Sequence, residues 1–150
     1  MRAFPHQAEI AFHESAHAVT SWFLGGDVER LTIEPGADEQ QTFMGYCQHS
    51  LARVPPHHRG DTCAIVGLAG AAAHRIFHPE RDPSANCRGD VAQVDQLIAH
   101  GLTTLNREAL MRMTEQLVAE QWPLIDRLAL VLLERGTLGH AEVEAILGAS

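Results

Sequence analysis

Hydrophobic and polar positions follow two different periods in the first third of the chain. Residues 5–24 carry small or apolar side chains at helical spacing over more than half of the helix circumference, and a Gly-Gly pair follows. This pattern predicts a central, mostly buried helix. Residues 28–34 alternate between apolar and polar, as strands do, and residues 42–48 are the expected partner strand of a small hairpin. The proline pair within residues 51–58 predicts a loop.

The remainder of the sequence shows helical periodicity. Apolar positions predict helices over residues 61–77, 90–100, 106–121, 123–135 and 140–147. The first of these is rich in Ala and Gly, whose small side chains allow close approach to another helix, and it is expected to stop before Pro79. Residues 78–89 are expected to form a loop. The predicted fold is mainly α with a small β-hairpin or sheet, in a single domain over residues 1–150.

Composition narrows the classes of function. The chain has 150 residues, 45% of them hydrophobic, and a formal net charge of -8 without a cluster of Lys or Arg, so nucleic acid is not an expected partner. Three cysteines without a CxxC pair argue against a disulfide framework or a cysteine-based zinc finger. The first residues do not resemble a signal peptide, and the longest apolar run, residues 63–73, is shorter than the ~20 residues that cross a bilayer. We therefore expect a cytoplasmic protein without a membrane segment.

An H-E-x-x-H motif, formed by His13, Glu14 and His17, lies inside the first predicted helix. The i, i+4 spacing places both imidazoles on one helix face, one turn apart, where two nitrogen atoms can bind one Zn²⁺. Glu14 projects beside them, where its carboxylate can accept a proton from zinc-bound water. The rest of the helix is largely apolar, and metal coordination removes the cost of burying these polar groups there. The motif therefore predicts a zinc site with Glu14 as the catalytic base.

A catalytic zinc site needs a third protein ligand, and no histidine follows His17 at the x-x-G-x-x-H spacing. Asp90 is the candidate, because its spacing with Val94 and Leu97 on a predicted helix turns its carboxylate toward the interior. An aspartate that begins a helix after a glycine is also an ordinary N-cap, and this interpretation stays open for Asp90. Asp95 is a nearby, more solvent-facing alternative.

Five segments that follow one another along the chain carry further motifs. They are AFHESAHAV (residues 11–19), LTIEPG with MGY (31–36 and 44–46), LAGAAA (68–73), the stretch around Gly89-Asp90 (84–94), and residues 128–147. In this order they resemble the zinc helix, the T-I-x-P-R-G and L-G-Y strand pair, the L-G-G-R-A-A helix, the G-A-x-N-D segment and the closing helices of the peptidase domain of FtsH-type ATP-dependent proteases. The aspartate of G-A-x-N-D is that family's third zinc ligand, so the resemblance implies this role for Asp90.

The resemblance implies a mainly helical, aspartate-liganded zinc peptidase that cleaves unfolded or flexible polypeptide, with substrate added as a strand beside residues 28–34. The sequence has no Walker G-x-x-x-x-G-K-[ST] motif, so we expect activity without ATP, or on substrate that a separate ATPase or adaptor delivers. His74 occupies the position of a family glutamate that orients a zinc-binding histidine. His74 is therefore an outer-shell residue or an alternative zinc ligand, and its i, i+4 spacing with His78 allows a separate metal site.

Two other functions stay open at the level of the sequence. A non-catalytic peptide-binding or adaptor module that keeps the fold and the zinc is favoured by His74 and by the missing ATPase motif, and is disfavoured by the presence of Glu14. A metal-buffering or metal-sensing protein would use the ten histidines, but these are scattered along the chain. Zinc binding alone does not separate the adaptor from the enzyme, whereas peptide hydrolysis does. The sequence predicts neither the oligomeric state nor the cleavage specificity.

Overall fold

The computed structural model describes residues 5–37, 42–43, 45–80 and 84–149 of the chain. The helices in these ranges are α1 (Pro5–Phe23), α2 (Pro56–Phe77), α3 (Ser84–Ala99), α4 (Arg107–Glu120), α5 (Trp122–Arg135) and α6 (His140–Gly148). The strands are β1 (Asp27–Thr32), β2 (Gly36–Ala37), β3 (Thr42–Phe43), β4 (Tyr46–Ser50) and β5 (Thr137–Gly139). This is the mainly helical fold with a small sheet that the hydrophobic pattern predicts. Within the described residues, no helix is both long and apolar enough to cross a membrane.

Helix α1 lies at the centre of the fold and packs against α2, α5 and β1. Its residues Ala11, Ala16 and Val19 are fully buried, and so are Ala69 and Ala73 on α2. Because most of these side chains are small, the two helices can approach each other closely where these residues meet. The burial of α1 on several sides is what its wide apolar stripe predicts.

The three-stranded antiparallel sheet has the order β4-β1-β5, so β1 is its central strand. Leu31 of β1 lies opposite Cys47 of β4 and Leu138 of β5. Strand β4 begins later than predicted, and β3 pairs instead with β2 in a separate two-stranded sheet. The sequence pattern does not predict β5, because three residues are too few for an alternating signal.

Helices α2 and α3 both begin earlier than predicted. Helix α2 starts at Pro56, inside the expected loop, because proline fits the first helical turn, where its missing N–H costs no hydrogen bond. Helix α3 starts at Ser84, so most of the expected loop over residues 78–89 is helical where the structure describes it. Asp90 consequently lies inside a helix and not at its start. The N-cap interpretation of Asp90 is therefore wrong.

A second apolar cluster holds α3 against α2 and thereby positions Asp90. Val94 of α3 packs with Leu68 of α2 and Leu110 of α4, and all three are almost completely buried. Gly67 of α2 permits this contact, since a Cβ built there would lie 3.0 Å from Cγ2 of Val94. Asp90 precedes Val94 by one turn on the same face of α3, so the packing of Val94 turns Asp90 toward the interior.

Candidate metal centre

His13 and His17 lie one turn apart on α1 and point toward a common position. Their Nε2 atoms are 3.1 Å apart, and the two rings meet edge to face with centroids separated by 4.7 Å. The side chains are 11% and 9% exposed, respectively. The helical spacing of the H-E-x-x-H motif therefore brings two nitrogen atoms together in a nearly water-free environment, as the sequence predicts.

Asp90 of α3 completes a group of three potential metal ligands. Its Oδ2 atom lies 3.1 Å from Nε2 of His13 and 3.1 Å from Nε2 of His17. Three ligand atoms bound at about 2.0 Å from one tetrahedral zinc ion lie about 3.3 Å from one another. The nearly equilateral triangle in the structure is close to that size. Among the described residues, His13, His17 and Asp90 form a group that can hold a metal ion.

Two residues of α2 fix the orientation of the imidazoles. Nδ1 of His17 donates to the backbone carbonyl oxygen of Val66 at 2.6 Å, which leaves the Nε2 lone pair available for a metal. A Cβ built at Gly70 would lie 2.3 Å from Cε1 of His13, so the backbone of α2 packs directly on this ring. The sequence gives a partial signal for Gly70, through the small side chains of α2. It gives none for the carbonyl of Val66, because every residue has one.

Glu14 lies beside the group of three and is 9% exposed. Burial raises the pKa of Glu14 above its ordinary value; the charges of His17 and His13 lower it, and the charge of Asp90 adds to the increase. Gly45, which precedes β4, allows the chain to pass close to this side chain, since a Cβ there would lie 3.3 Å from Cγ of Glu14. A carboxylate with a raised pKa takes up a proton more readily at neutral pH, as a general base must.

The charges of the group stabilise one another. Burial acts to lower the pKa of His17, but the hydrogen bond with Asp90 and the negative charge of Glu14 outweigh it and raise this pKa to about 9. Burial acts to raise the pKa of Asp90, but the hydrogen bonds with His13 and His17 hold it well below its ordinary value. A metal ion that binds here replaces a proton held between imidazole and carboxylate.

Cys47 on β4 is a neighbour of the site that the sequence did not indicate. Burial, followed by the charges of Glu14 and Asp90, raises the pKa of its thiol well above the ordinary value. The thiol therefore stays protonated at neutral pH and behaves as a small apolar side chain packed against the main core.

The other candidate ligands are not members of the group of three. His74 is buried on α2, and its ring centroid is 6.1 Å from that of His78, whose Nε2 lies 3.0 Å from Oε1 of Glu9. Asp95 pairs with Arg107 of α4 at the surface. In the part of the chain that the structure describes, neither His74 nor His78 belongs to a group of three closely spaced ligand atoms.

A comparison of the chain with protein-family models and with curated proteins finds no match. Fold and site define a mainly helical protein with a small antiparallel sheet and a buried His-His-Asp group that can hold a metal ion. The likeness to FtsH-type peptidase domains therefore rests on the sequence motifs.

Proposed function

We propose that the protein is a zinc-dependent endopeptidase that hydrolyses peptide bonds in unfolded or flexible polypeptides without ATP. The observation that carries this proposal is the position of Glu14, a buried carboxylate with a raised pKa, beside the three potential ligands. A structural zinc site is closed by four protein ligands and needs no additional base. Three ligands with an adjacent carboxylate are typical of a hydrolytic zinc site.

Zinc is the metal that we propose for this group. Imidazole nitrogen and carboxylate oxygen are both common zinc ligands, and the 3.1 Å separations of His13, His17 and Asp90 are close to those of tetrahedral coordination. Bound zinc supplies Lewis acidity, which polarises a carbonyl group and lowers the pKa of water.

Residues of the chain itself transfer the proton, orient the metal ligand and exclude bulk water. Glu14 takes a proton from the attacking water and returns it to the amine that leaves, and its raised pKa brings its two protonation states closer in free energy at neutral pH. The carbonyl of Val66 holds His17 in the tautomer that has its Nε2 lone pair available. Burial of the site keeps bulk water away and strengthens these electrostatic interactions.

Strand β4 is the element that we propose to pair with the substrate. The sequence resemblance implies addition of substrate beside residues 28–34, but β4 and β5 already lie on the two sides of β1 over Arg30–Thr32. In the described residues β4 has β1 as its neighbour on one side, so its other side can pair with an extended polypeptide. Gly45, the residue before β4, lies against Glu14. A polypeptide bound along β4 would thus pass the proposed base.

The motifs that resemble FtsH-type peptidase domains support the same function. They include a Gly-Asp pair at the position of the family's zinc-binding aspartate, and Asp90 of this pair lies 3.1 Å from both histidine nitrogens. We propose that unfolded substrates are taken directly or from a separate ATPase or adaptor in the cytoplasm.

A non-catalytic peptide-binding module is the second candidate, and His74 is the residue that favours it. The resembled family has a glutamate there, and an imidazole would replace only part of its effect on a zinc-binding histidine. Both functions use the same fold, the same metal and the same strand, β4, to bind a polypeptide. They differ in whether Glu14 is needed for turnover.

Cleavage of casein by zinc-loaded protein tests the proposal. The wild type, Glu14→Gln and the control Glu120→Gln, which removes an exposed carboxylate of α4, are compared without ATP. We expect the wild type and the control to cut, and Glu14→Gln to keep its zinc while its rate falls by about 10² to 10⁴. A chelator should stop cleavage. If all three proteins hold zinc and none cuts casein, the endopeptidase is rejected in favour of the peptide-binding module.

A further inference from the structure

A surface cavity of about 370 Å³ lies at the C-terminal end of α1. Its lining includes Trp22 at the end of α1, Asp27 at the start of β1, Arg53 after β4, and His140 and Glu144 of α6. These residues come from four separate parts of the chain, which meet because β1 packs between α1 and α6. A cavity of this volume falls in the range of small-molecule sites.

The cavity is distinct from the metal centre. Trp22 follows His17 by five residues, which corresponds to about 7.5 Å along the helix axis and about 140° around it. None of His13, Glu14, His17 and Asp90 lines the cavity. Binding there therefore does not depend on the metal or on peptide hydrolysis.

Hydrogen-bond acceptors face this cavity from two sides. Oε2 of Glu144 accepts a long hydrogen bond of 3.4 Å from Nε1 of Trp22, which leaves most of the accepting capacity of the carboxylate unused. Nδ1 of His140 donates to the backbone carbonyl of Val28 at 2.7 Å. In the neutral ring Nε2 of His140 is then an acceptor.

The charge of the cavity is negative. Arg53 and Asp27 form an ion pair, with Nη1 and Oδ1 separated by 3.3 Å, so their charges cancel. Glu144 contributes one further negative charge, and the indole of Trp22 adds an aromatic surface that attracts cations. The net charge of -8 on the chain also attracts cations.

We propose that this cavity binds an organic cation with N–H donors, an alkylammonium or guanidinium group. The carboxylate of Glu144, the second oxygen of Asp27 and Nε2 of His140 supply acceptors for its N–H groups, and Trp22 supplies the ring. Two kinds of ligand present such a group: a lysine or arginine side chain of a polypeptide, and a small free amine.

Titration of ¹⁵N-labelled protein with N-acetyl-lysine methylamide and with n-butylammonium tests the site. The indole N–H of Trp22 reports on the cavity, and that of Trp122, which is partly buried and stacks on Phe12, is the internal reference. We expect the Trp22 signal to shift in a saturable, salt-sensitive manner and the Trp122 signal to stay in place. The uncharged N-acetyl-norleucine methylamide should cause no saturable shift. Tighter binding of the lysine derivative than of butylammonium would assign the site to polypeptide side chains, and the reverse to free amines.

Isosteric variants test whether the carboxylate of Glu144 takes part in this binding. Glu144→Gln should weaken binding at least about tenfold, because it removes a charge-assisted hydrogen bond, while Glu120→Gln should leave it unchanged. If Glu144→Gln does not fold, as judged by circular dichroism, Asp27→Asn serves as the second test, with the same expected direction. A Trp22 signal that does not move, or that moves equally with the norleucine derivative, would overturn the proposal. Equal binding by folded Glu144→Gln and wild type would do the same.

Discussion

Gly70 of α2 lies so close to the imidazole of His13 that a Cβ atom at position 70 would be 2.3 Å from Cε1 and 2.7 Å from Nε2. Non-bonded carbon atoms normally approach no closer than about 3.5 Å. The ring could not yield easily, because α1 and α2 pack tightly through small side chains. The missing side chain at Gly70 is therefore a condition for His13 to point toward Asp90.

Gly70→Ala should weaken zinc binding by about 10 to 100-fold, the effect typical of changes that misorient a metal ligand. The added methyl group forces the ring of His13 away from His17 and Asp90. The matched control is Gly89→Ala, next to Asp90, where a Cβ meets no atom within 4 Å. Competition with a chromophoric chelator measures both affinities. Unchanged zinc affinity in a folded Gly70→Ala protein would contradict the assignment of His13 as a ligand.

Asp90→Ala should lower zinc affinity more than Gly70→Ala, because it deletes a ligand atom instead of displacing one. The control Asp95→Ala lies on the same helix and breaks an exposed ion pair with Arg107, so its zinc affinity should match that of the wild type. Zinc content measured by atomic absorption should be close to one per wild-type chain. A stoichiometry well above one would instead favour a metal-buffering protein.

The residues of the candidate site can be predicted from the sequence more accurately than the bounds of the helices that carry them. His13 and His17 are four residues apart in a strongly apolar helix, so local geometry alone brings them together. Asp90 reaches them only through the packing of Val94, and the pattern places the start of its helix too late. Residues 84–89 include serine, asparagine and glycine, which have low helix propensity, so the local pattern does not indicate that the helix extends over them. No local pattern could indicate the carbonyl of Val66.

Leu138→Ala tests the strand that the sequence did not predict. Leu138 is fully buried on β5 opposite Leu31, and its truncation should lower the free energy of unfolding by about 2 to 5 kcal/mol. Leu130→Ala on α5 is the matched control, since this leucine is 55% exposed and its loss should change stability by less than about 0.5 kcal/mol. Urea denaturation followed by circular dichroism gives both values. Equal effects of the two variants would mean that β5 does not pack as described.

The stability of the protein should depend on pH in opposite directions with and without zinc. The pKa of His17 is about 9 in the folded, metal-free chain because Asp90 and Glu14 outweigh burial, whereas an unfolded histidine has a pKa of about 6.5. The folded state therefore binds more protons between these two pH values. The resulting stabilisation is fully present below pH ~6.5 and is lost as the pH rises toward ~9, with a size of at most about 3 kcal/mol.

Zinc binding reverses the sign, because the metal competes with the proton for Nε2 of His17. Urea denaturation at several pH values between 6 and 9 should show stability falling with pH in a chelator. At a fixed, buffered concentration of free zinc, stability should rise with pH up to about 7.5 and then level off, because the unfolded histidine has lost its proton there. Asp90→Ala removes the largest influence that raises the pKa of His17, so the decline in chelator should become shallower in this variant. Parallel curves with and without zinc would show that no proton is displaced, and therefore that the metal does not bind at His17.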